Sequence, residues 1–322
     1  MDARAALTPE RRERFEAALD ALAPAGRIGL AVSGGPDSLA LLLLAGAARP
    51  GMVQAATVDH GLRPEAAGEA SFVAGACQAL GIPHDILRVT VADEPAGLQA
   101  AARKARYAAL GAWALGQKLD ALATAHHADD QAETVLMRLA RGAGLAGLAG
   151  IRRSRPFDEA PGVMLIRPLL DWTKAELEAV VADARIEPVR DPSNSDPRYD
   201  RTRARQLLAG GWPEAGRVAA AASHLGEAEE ALAWVSERLA DERIRLGDQQ
   251  ATLDPSGLPR ELRRRLLLVV FARLAPGVDM RGDAVDRLLQ SLDAQKVATL
   301  AGFRCAPGRI WRVSRAAARR SG

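Results

Sequence analysis

The first 150 residues alternate short apolar runs with longer segments whose apolar positions recur at helical spacing. The runs predict β-strands and the segments between them predict α-helices. Repeated β–α units of this length indicate an α/β fold, in which a parallel sheet carries helices on both faces. The predicted strands are Arg27–Val32, Val53–Val58, His84–Val89 and Ala121–Ala125, and the predicted helices are Asp37–Ala48, Glu65–Leu80, Leu98–Leu115 and Asp129–Arg141.

The pattern changes in the second half of the chain. A fifth strand is predicted at Met164–Leu169 and a helix at Thr173–Ala184, with Thr173 as its N-cap. After Trp212 the pattern predicts nearly continuous helix with a short β-rich basic end. We therefore predict an α/β domain over residues 1–214 and a mainly helical region over 215–322. The later segments are helices at Ala215–Gly247, Arg260–Leu274 and Asp283–Leu292 and the β-rich end at Thr299–Val313.

Composition excludes several classes of protein. No run approaches the ~18 consecutive apolar residues of a transmembrane helix, so no membrane association is expected. The charged segment Met1–Ala23 predicts an amphipathic helix and not a secretion signal. Only Cys77 and Cys305 are present, far apart, which argues against a disulfide framework and against a zinc ribbon. These features favour a cytoplasmic protein.

The charge of the chain is unevenly distributed. Residues 255–322 contain 14 basic and 5 acidic side chains, while residues 1–254 carry a net charge of −6. A basic block of this kind is typical of a surface that binds a polyanion such as nucleic acid, and it also fits a solvated tail. The last 26 residues have no acidic side chain and contain six arginines, at positions 304, 309, 312, 315, 319 and 320.

The hexapeptide Ser33–Ser38, SGGPDS, lies between the first predicted strand and the helix after it. Its two glycines let successive N–H groups point towards one spot, and the helix N-terminus adds partial positive charge. We therefore predict a phosphate-binding loop. No lysine follows the glycines and this loop is not a GxGxxG string, so neither a Walker loop nor a dinucleotide fingerprint fits at this strand–helix junction. The alternative is a capped glycine-rich turn without a ligand.

Other polar strings follow the predicted strands at the edge where α/β sheets bind their ligands. Asp37 lies inside the phosphate loop, where a carboxylate suits Mg²⁺ held between it and phosphate oxygens, or simply caps the helix. VDHGLR over residues 58–63 follows the second strand, and HHADDQAET over 126–134 follows the fourth. Two adjacent histidines with only carboxylates nearby do not favour zinc, and acidic residues also suit the start of a helix.

Seven strings in one order resemble the tRNA(Ile)-lysidine synthetase family of the N-type ATP pyrophosphatases, the PP-loop superfamily. They are SGGPDS, VDHGLR, ARKARY, HHADDQAET, RGAGLAGLAG, RPLL and DPSN, spread over roughly residues 26–208. The resemblance implies an adenine nucleotide alpha-hydrolase-like fold and the cofactors ATP and Mg²⁺. It further implies adenylation of the wobble cytidine of the CAU-anticodon isoleucine tRNA with release of pyrophosphate. The ε-amine of free L-lysine then displaces AMP and leaves lysidine.

The resemblance also implies roles for individual residues. The catalytic set is Asp37, Asp130 and Glu133, with Asp37 as the Mg²⁺ ligand. The ATP-binding set is Ser33, Gly34, Gly35, Pro36, Asp37, Ser38, Val58 and His60. The substrate-binding set is Arg106, His127, Asp130, Arg141, Arg201 and Arg205. The family usually has an asparagine where this chain has Thr202, a change that removes an amide from the segment after DPSN.

Two other functions compete with this one. A tRNA thiolase of the same superfamily usually carries paired cysteines, which this chain lacks. A non-catalytic RNA-binding relative would keep the fold without its chemistry, but the intact SGGPDS and HHADDQAET strings argue against such decay. The C-terminal region is in either case expected to interact with tRNA.

Overall fold

The computed structural model describes residues 7–23, 25–61, 66–91, 97–189, 200–278, 280 and 282–316. The chain divides into two compact units, Met1–Gly226 and Glu227–Gly322, and each is described by itself below. The domain boundary expected at residue 214 stays a prediction. In the described part of the chain, none of the helices combines the length and apolar character needed to cross a membrane.

The first unit is built on a six-stranded sheet with the strand order β3-β2-β1-β4-β6-β5. All neighbouring strands are parallel except β5, which runs antiparallel to β6, so the predicted parallel sheet is confirmed and gains one unpredicted edge strand. The strand β5 has only three residues and ends in proline, so its sequence shows no pattern from which a strand could be predicted. The strands are β1 Ile28–Ala31, β2 Val53–Asp59, β3 His84–Arg88, β4 Ala121–Ala123, β5 Ser154–Pro156 and β6 Met164–Ile166.

Helices cover both faces of this sheet. Adjacent residues Ala55 and Ala56 of β2 enter different hydrophobic clusters, because successive side chains of a strand point to opposite faces. One cluster contains residues of the helices α1, α2, α3 and α7, and the other is built around α4. The helices are α1 Pro9–Leu22, α2 Pro36–Ala48, α3 Ala66–Leu80, α4 Leu98–Gly116, α5 Ala128–Ala140, α6 Leu145–Leu148, α7 Lys174–Asp183, α8 Asp200–Ala209 and α9 Ala215–Arg243.

The helix α2 is the most deeply buried helix of the site region. Every residue from Ser38 to Ala45 is buried, between the sheet and the helices α1 and α7. A helix that is apolar on all sides belongs in a core. Its N-terminus is therefore held rigidly at the end of β1, which is where the phosphate loop lies.

The second unit contains the helices α10 Arg260–Leu274 and α11 Gly282–Asp293 and a five-stranded antiparallel sheet. The prediction that helix extends to Gly247 is wrong for the last turn, because α9 ends at Arg243 and residues 244–247 form a strand. Ile244 is buried in this strand, which pairs with residues 250–253 across a tight turn. Burial and strand pairing stabilise this conformation more than helix propensity would stabilise another turn of α9. The strands are β7 Ile244–Gly247, β8 Gln250–Leu253, β9 Ala298–Leu300, β10 Phe303–Ala306 and β11 Trp311–Arg315, in the order β7-β8-β11-β10-β9.

One face of this second sheet packs on the helices and the other is exposed. Phe303, Trp311 and Val313 are buried with residues of α10 and α11. Arg304 and Arg312 alternate with them and are exposed on the opposite face. The predicted β-rich basic end is therefore confirmed as two paired strands whose arginines share one surface.

Two glycines test the packing of the first unit. A Cβ at Gly111 in α4 would lie 2.5 Å from the carbonyl oxygen of Glu159, whereas one at Gly75 in α3 would meet nothing within 4 Å. We predict that Gly111→Ala lowers the free energy of unfolding by about 1–3 kcal/mol through overpacking. The control Gly75→Ala should raise it by about 0.5–1 kcal/mol through helix propensity. Urea denaturation of both variants measures this, and equal effects would contradict the packing described.

Candidate active site

Gly34 shapes the phosphate loop at the end of β1. Its φ of +85° is a backbone conformation that residues with side chains rarely adopt. Its carbonyl oxygen accepts a hydrogen bond from the Val189 amide at 3.0 Å. A Cβ here would also lie 3.2 Å from Val189 and 3.3 Å from Val73. The backbone conformation therefore requires glycine at this position, and a Cβ would in addition be tightly packed against the two valines.

Ser38 closes the phosphate loop onto itself. The Ser33 amide donates to Ser38 Oγ at 3.1 Å, and that hydroxyl donates to the Gly35 carbonyl at 3.0 Å. Gly35 is the N-cap of α2 and Pro36 its first residue, and no described side chain caps this helix. The N–H groups of its first turn are therefore available to an anion, as the sequence predicted for a phosphate.

Asp37 lies in the first turn of α2 with one oxygen uncompensated. Its Oδ1 is buried and has no hydrogen-bond partner in the described part of the chain, and its Oδ2 is 3.5 Å from His127 Nε2. A buried carboxylate oxygen without a donor, beside a phosphate loop, fits a Mg²⁺ ligand. The described residues form no cluster of three or more metal-ligating side chains, so the remaining ligands would be phosphate oxygens and water.

His127 is the N-cap of α5 and is buried. Its Nε2 is 3.5 Å from Asp37 Oδ2 and equally far from Asp130 Oδ2. Burial lowers the pKa of His127, but the carboxylates of Asp129, Asp37 and Asp130 outweigh burial and raise the pKa to about 10. A pKa of about 10 would place protons on both nitrogens of the imidazole ring. The Asp129 amide lies 3.2 Å from Nδ1, however, and can donate to Nδ1 only if this nitrogen carries a lone pair. In either form Nε2 keeps its proton, facing two carboxylates.

Two carboxylates of α5 form ion pairs with two arginines of α8. Glu133 is almost fully buried, and its two oxygens accept from Arg201 Nε at 2.6 Å and Arg205 Nε at 2.9 Å. Arg201 also donates to Asp130 Oδ1 at 2.6 Å. Burial acts to lower the pKa of Arg201, but Glu133 and Asp130 raise it. The structure thus brings together four predicted site residues, with the predicted substrate-binding arginines on the predicted catalytic carboxylates.

The remaining predicted residues occupy different places. Val58 and His60 lie at the carboxyl end of β2, where burial first, and the charge of Arg106 second, lower the pKa of His60. Arg106 is exposed, with its guanidinium 5.6 Å from the centroid of the Tyr107 ring. Arg141 is the C-cap of α5, about 16 Å from Asp130 along the helix axis, and does not join the cluster. Leu62, Arg63 and the DPSN string lie outside the described residues.

Sequence reasoning missed two side chains that hold the glycine-rich segment 142–150. Arg138 donates to the carbonyl oxygens of Gly147 and Gly150, both at 2.8 Å. Gln131 donates to the carbonyl oxygen of Ile151 at 3.1 Å and accepts from the Ile151 amide. The two residues are seven positions apart and so share one face of α5, a helical spacing that could have identified them.

Asp129 connects two helices of the site. Its Oδ2 accepts from the Lys174 amide at the start of α7 at 2.9 Å. His127 is the main cause that lowers the pKa of Asp129, with burial acting in the opposite direction. Asp129 therefore anchors the start of α5 to the start of α7, while Asp130 and Glu133 face α8.

The chain matches one domain family and is similar to two proteins that carry the same name. The PP-loop domain family matches residues 7–210. The chain is 46% identical over 321 residues to the tRNA(Ile)-lysidine synthase of Zymomonas mobilis, an alignment that covers 98% of this chain and 97% of that protein. It is 50% identical over 312 residues to the tRNA(Ile)-lysidine synthase of Novosphingobium aromaticivorans, covering 96% and 94% of the two chains.

Among solved structures, the chain is similar to a U34-tRNA thiolase of Methanococcus maripaludis that contains an iron–sulfur cluster. The TM-score is 0.55 at 21% identity, and the match covers 68% of this chain and 78% of the thiolase. At this level of identity the likeness concerns the fold alone. It agrees with the adenine nucleotide alpha-hydrolase-like fold that the sequence predicted.

The phosphate loop predicts a specific loss on substitution. Gly34→Val should weaken ATP binding at least about tenfold, because the loop can no longer direct its N–H groups to one point. Gly51→Val is the matched control, with a φ of +76° and no atom within 4 Å of its Cβ position. Both variants should lose stability through backbone strain, and only the first should lose ATP affinity in calorimetry. Unchanged ATP affinity in folded Gly34→Val protein would refute the assignment.

Proposed function

The chain belongs to the tRNA(Ile)-lysidine synthase family, and from this premise we propose that it joins free L-lysine to the wobble cytidine of the CAU-anticodon isoleucine tRNA. The reaction consumes ATP and passes through an adenylated tRNA. The two cysteines do not favour the thiolase alternative, because Cys77 and Cys305 are both buried in the cores of separate units.

One observation supports this function most strongly. Asp37 of the phosphate loop and Asp130 of the α5 carboxylate cluster each lie 3.5 Å from the same nitrogen, His127 Nε2. The groups suited to ATP and the groups suited to an amine are thus side by side at the carboxyl edge of one sheet. A ligase that activates with ATP and then transfers an amine needs this proximity.

In the first step the base carbonyl oxygen of the cytidine attacks the α-phosphate of ATP, and pyrophosphate leaves. The N–H groups of Gly34 and Gly35 and those of the first turn of α2 would hold the phosphates. Mg²⁺, bound by Asp37, would supply positive charge to the phosphate oxygens. The protonated Nε2 of His127 keeps the Asp37 carboxylate oriented.

In the second step the ε-amine of lysine attacks the activated carbon, the C–O bond breaks and AMP leaves with the oxygen. The amine arrives as an ammonium and must lose a proton first. Asp130 and Glu133 can hold an ammonium, and Asp130, which is partly exposed, can accept the proton. The Arg201 and Arg205 guanidinium groups already neutralise this pair, so the lysine ammonium would share it with them.

The tRNA would contact the second unit on its basic sheet face. Arg304 and Arg312 are exposed there on neighbouring strands, and neither forms an ion pair within the described part of the chain. Threonine and serine hydroxyls of the same face, at Thr252 and Ser314, can donate to phosphates. A basic sheet face with small polar neighbours suits the phosphate backbone of RNA.

The function is tested by incubating the protein with ATP, Mg²⁺, labelled lysine and total tRNA, followed by digestion to nucleosides. We expect one labelled nucleoside, formed from cytidine in isoleucine tRNA only, with one AMP released for each. Incorporation of sulfur from sulfide, or no ATP-dependent labelling, would overturn the proposal.

Asp130→Asn should separate the two chemical steps. Arg201 and the His127 amide donate to different oxygens of Asp130, so the single oxygen of asparagine can keep one of these hydrogen bonds, but it cannot take up a proton from the amine. We expect near-normal AMP transfer to tRNA and a loss of lysine transfer of at least about 100-fold in single-turnover reactions. Asp171→Asn, at an exposed ion pair with Arg153, is the control and should leave both steps unchanged. Normal lysine transfer by Asp130→Asn would contradict the role.

Replacing Arg304 and Arg312 with Gln should weaken tRNA binding without affecting ATP affinity. The slope of log affinity against log salt concentration should become shallower by about one for each arginine–phosphate interaction that the substitutions remove. The control is Arg287→Gln, an exposed arginine of α11 paired with Asp283. An identical salt slope for the double variant and the wild type would show that this face does not hold tRNA.

A further inference from the structure

Arg167 is a buried cation without an anionic partner. It directly follows β6 and is 6% exposed. Its Nη1 donates to the Arg152 carbonyl oxygen at 2.6 Å, while its Nε is buried with no hydrogen-bond partner. No carboxylate of the described residues forms an ion pair with it. Buried arginines are rare unless paired, and a buried unsatisfied charge is costly. A missing anion is the simplest account of this arrangement.

The surroundings of Arg167 are positive. Burial is the main cause that lowers its pKa, Tyr107 acts in the opposite direction, and the nearby cations Arg155 and Arg103 lower it further. Arg103 lies on the neighbouring helix α4, with its guanidinium 4.7 Å from the centroid of the Tyr107 ring. Because Arg155 is already paired with Asp158 at 2.6 Å, the uncompensated charge belongs to Arg167 and Arg103.

The open side of the guanidinium has the geometry for a carboxylate. With Nη1 used by Arg152, the edge formed by Nε and Nη2 has no protein acceptor in the described part of the chain. The two N–H bonds on this edge are parallel and match the two oxygens of one carboxylate. An anion bound there would satisfy the buried Nε–H.

The position of Arg167 relates it to the α5 carboxylates. The strand β6 pairs with β4, and the Thr124 amide donates to the Ile166 carbonyl oxygen at 3.0 Å. His126 follows β4, and the charges of Asp130 and Arg167 both affect its pKa. Burial lowers the pKa of His126 to about 4, Asp130 opposes that change and Arg167 adds to it. The charges of Arg167 and Asp130 therefore both act on one imidazole, and the strands β6 and β4 that precede these two residues are neighbours about 5 Å apart.

We propose that Arg167, assisted by Arg103, binds the α-carboxylate of the free amino acid whose amine is held at Asp130 and Glu133. The inference rests on the proposed function, since it identifies how the same site recognises its nucleophile. A ligand with an anionic and a cationic end fits adjacent sites of opposite charge. Desolvated charge-assisted hydrogen bonds would then select the complete amino acid over amines that lack the carboxylate.

Phosphate is the less suitable anion for Arg167. The phosphate loop follows β1, which is two strands from β6 in the order β1-β4-β6 and so about 10 Å away. A phosphate of the tRNA backbone is attached on both sides and cannot easily reach a guanidinium that is 6% exposed. A free carboxylate is smaller and is attached on one side only, so it suits this position better.

The test compares three amines, lysine, lysinamide and 1,5-diaminopentane, with wild type, Arg167→Gln and the matched control Arg155→Gln. Nucleoside formation is measured at saturating ATP and tRNA. In the wild type, kcat/KM for lysine should exceed that for lysinamide at least about tenfold. Arg167→Gln should raise the KM for lysine about 10- to 100-fold and leave that for lysinamide within about twofold. Arg155→Gln should change neither, and Arg167→Lys, which keeps the charge without the fork, should fall between.

Three outcomes would overturn the inference. They are equal use of lysine and lysinamide by the wild type, an equal loss for both amines in Arg167→Gln, and a raised KM for ATP or tRNA in that variant. If Arg167→Gln does not fold, judged by its thermal unfolding, the wild-type selectivity decides alone. Failure of the proposed function is distinguishable, because the wild type would then form no lysine-containing nucleoside at all.

Discussion

The site depends on the position of one imidazole nitrogen. His127 Nε2 lies 3.5 Å from a carboxylate oxygen of Asp37 and 3.5 Å from one of Asp130. These two acids come from different helices, α2 and α5, and without a shared proton their like charges would repel across a partly buried space. Together with Asp129, these two carboxylates raise the pKa of His127 against the effect of burial, because they stabilise its protonated form. The imidazole thereby joins the phosphate loop to the carboxylate cluster.

The helices around His127 are positioned by groups outside the chemistry. The burial of α2 on all sides holds the phosphate loop at the end of β1. Asp129 links the start of α5 to the start of α7, whose own N-terminus is closed by the capping box of Thr173 and Glu176. Arg138 and Gln131 tie the far side of α5 to the glycine-rich segment. The precise distances at His127 therefore rest on contacts made elsewhere along these helices.

Charge at the carboxyl edge of the sheet is separated into two regions. Acidic groups gather at the start of α5, where Glu133 is compensated by Arg201 and Arg205. Cationic groups gather around Arg167, which has no such compensation among the described residues. Burial lowers the pKa of His126 to about 4 and keeps this residue neutral, although charges of both regions act on it. The second unit adds a separate basic surface through the alternation of Arg304 and Arg312 with buried neighbours.

The α/β fold, the phosphate loop and the family could all be predicted from the sequence, because hydrophobic periodicity and short motifs are local properties of the chain. Ser33–Ser38 and His126–Thr134 could be assigned to the carboxyl edge since each follows a strand of a parallel sheet. Three features could not be predicted in this way and are seen only in the folded chain. They are the ion pairs of Glu133 with arginines about 70 positions away, the strand that replaces the predicted last turn of α9, and the unpaired Arg167. Such contacts depend on packing between distant segments, on which local pattern carries no information. The string RPLL marked Arg167 as characteristic of the family, but its burial without an anion became visible only once β6 was paired with β4.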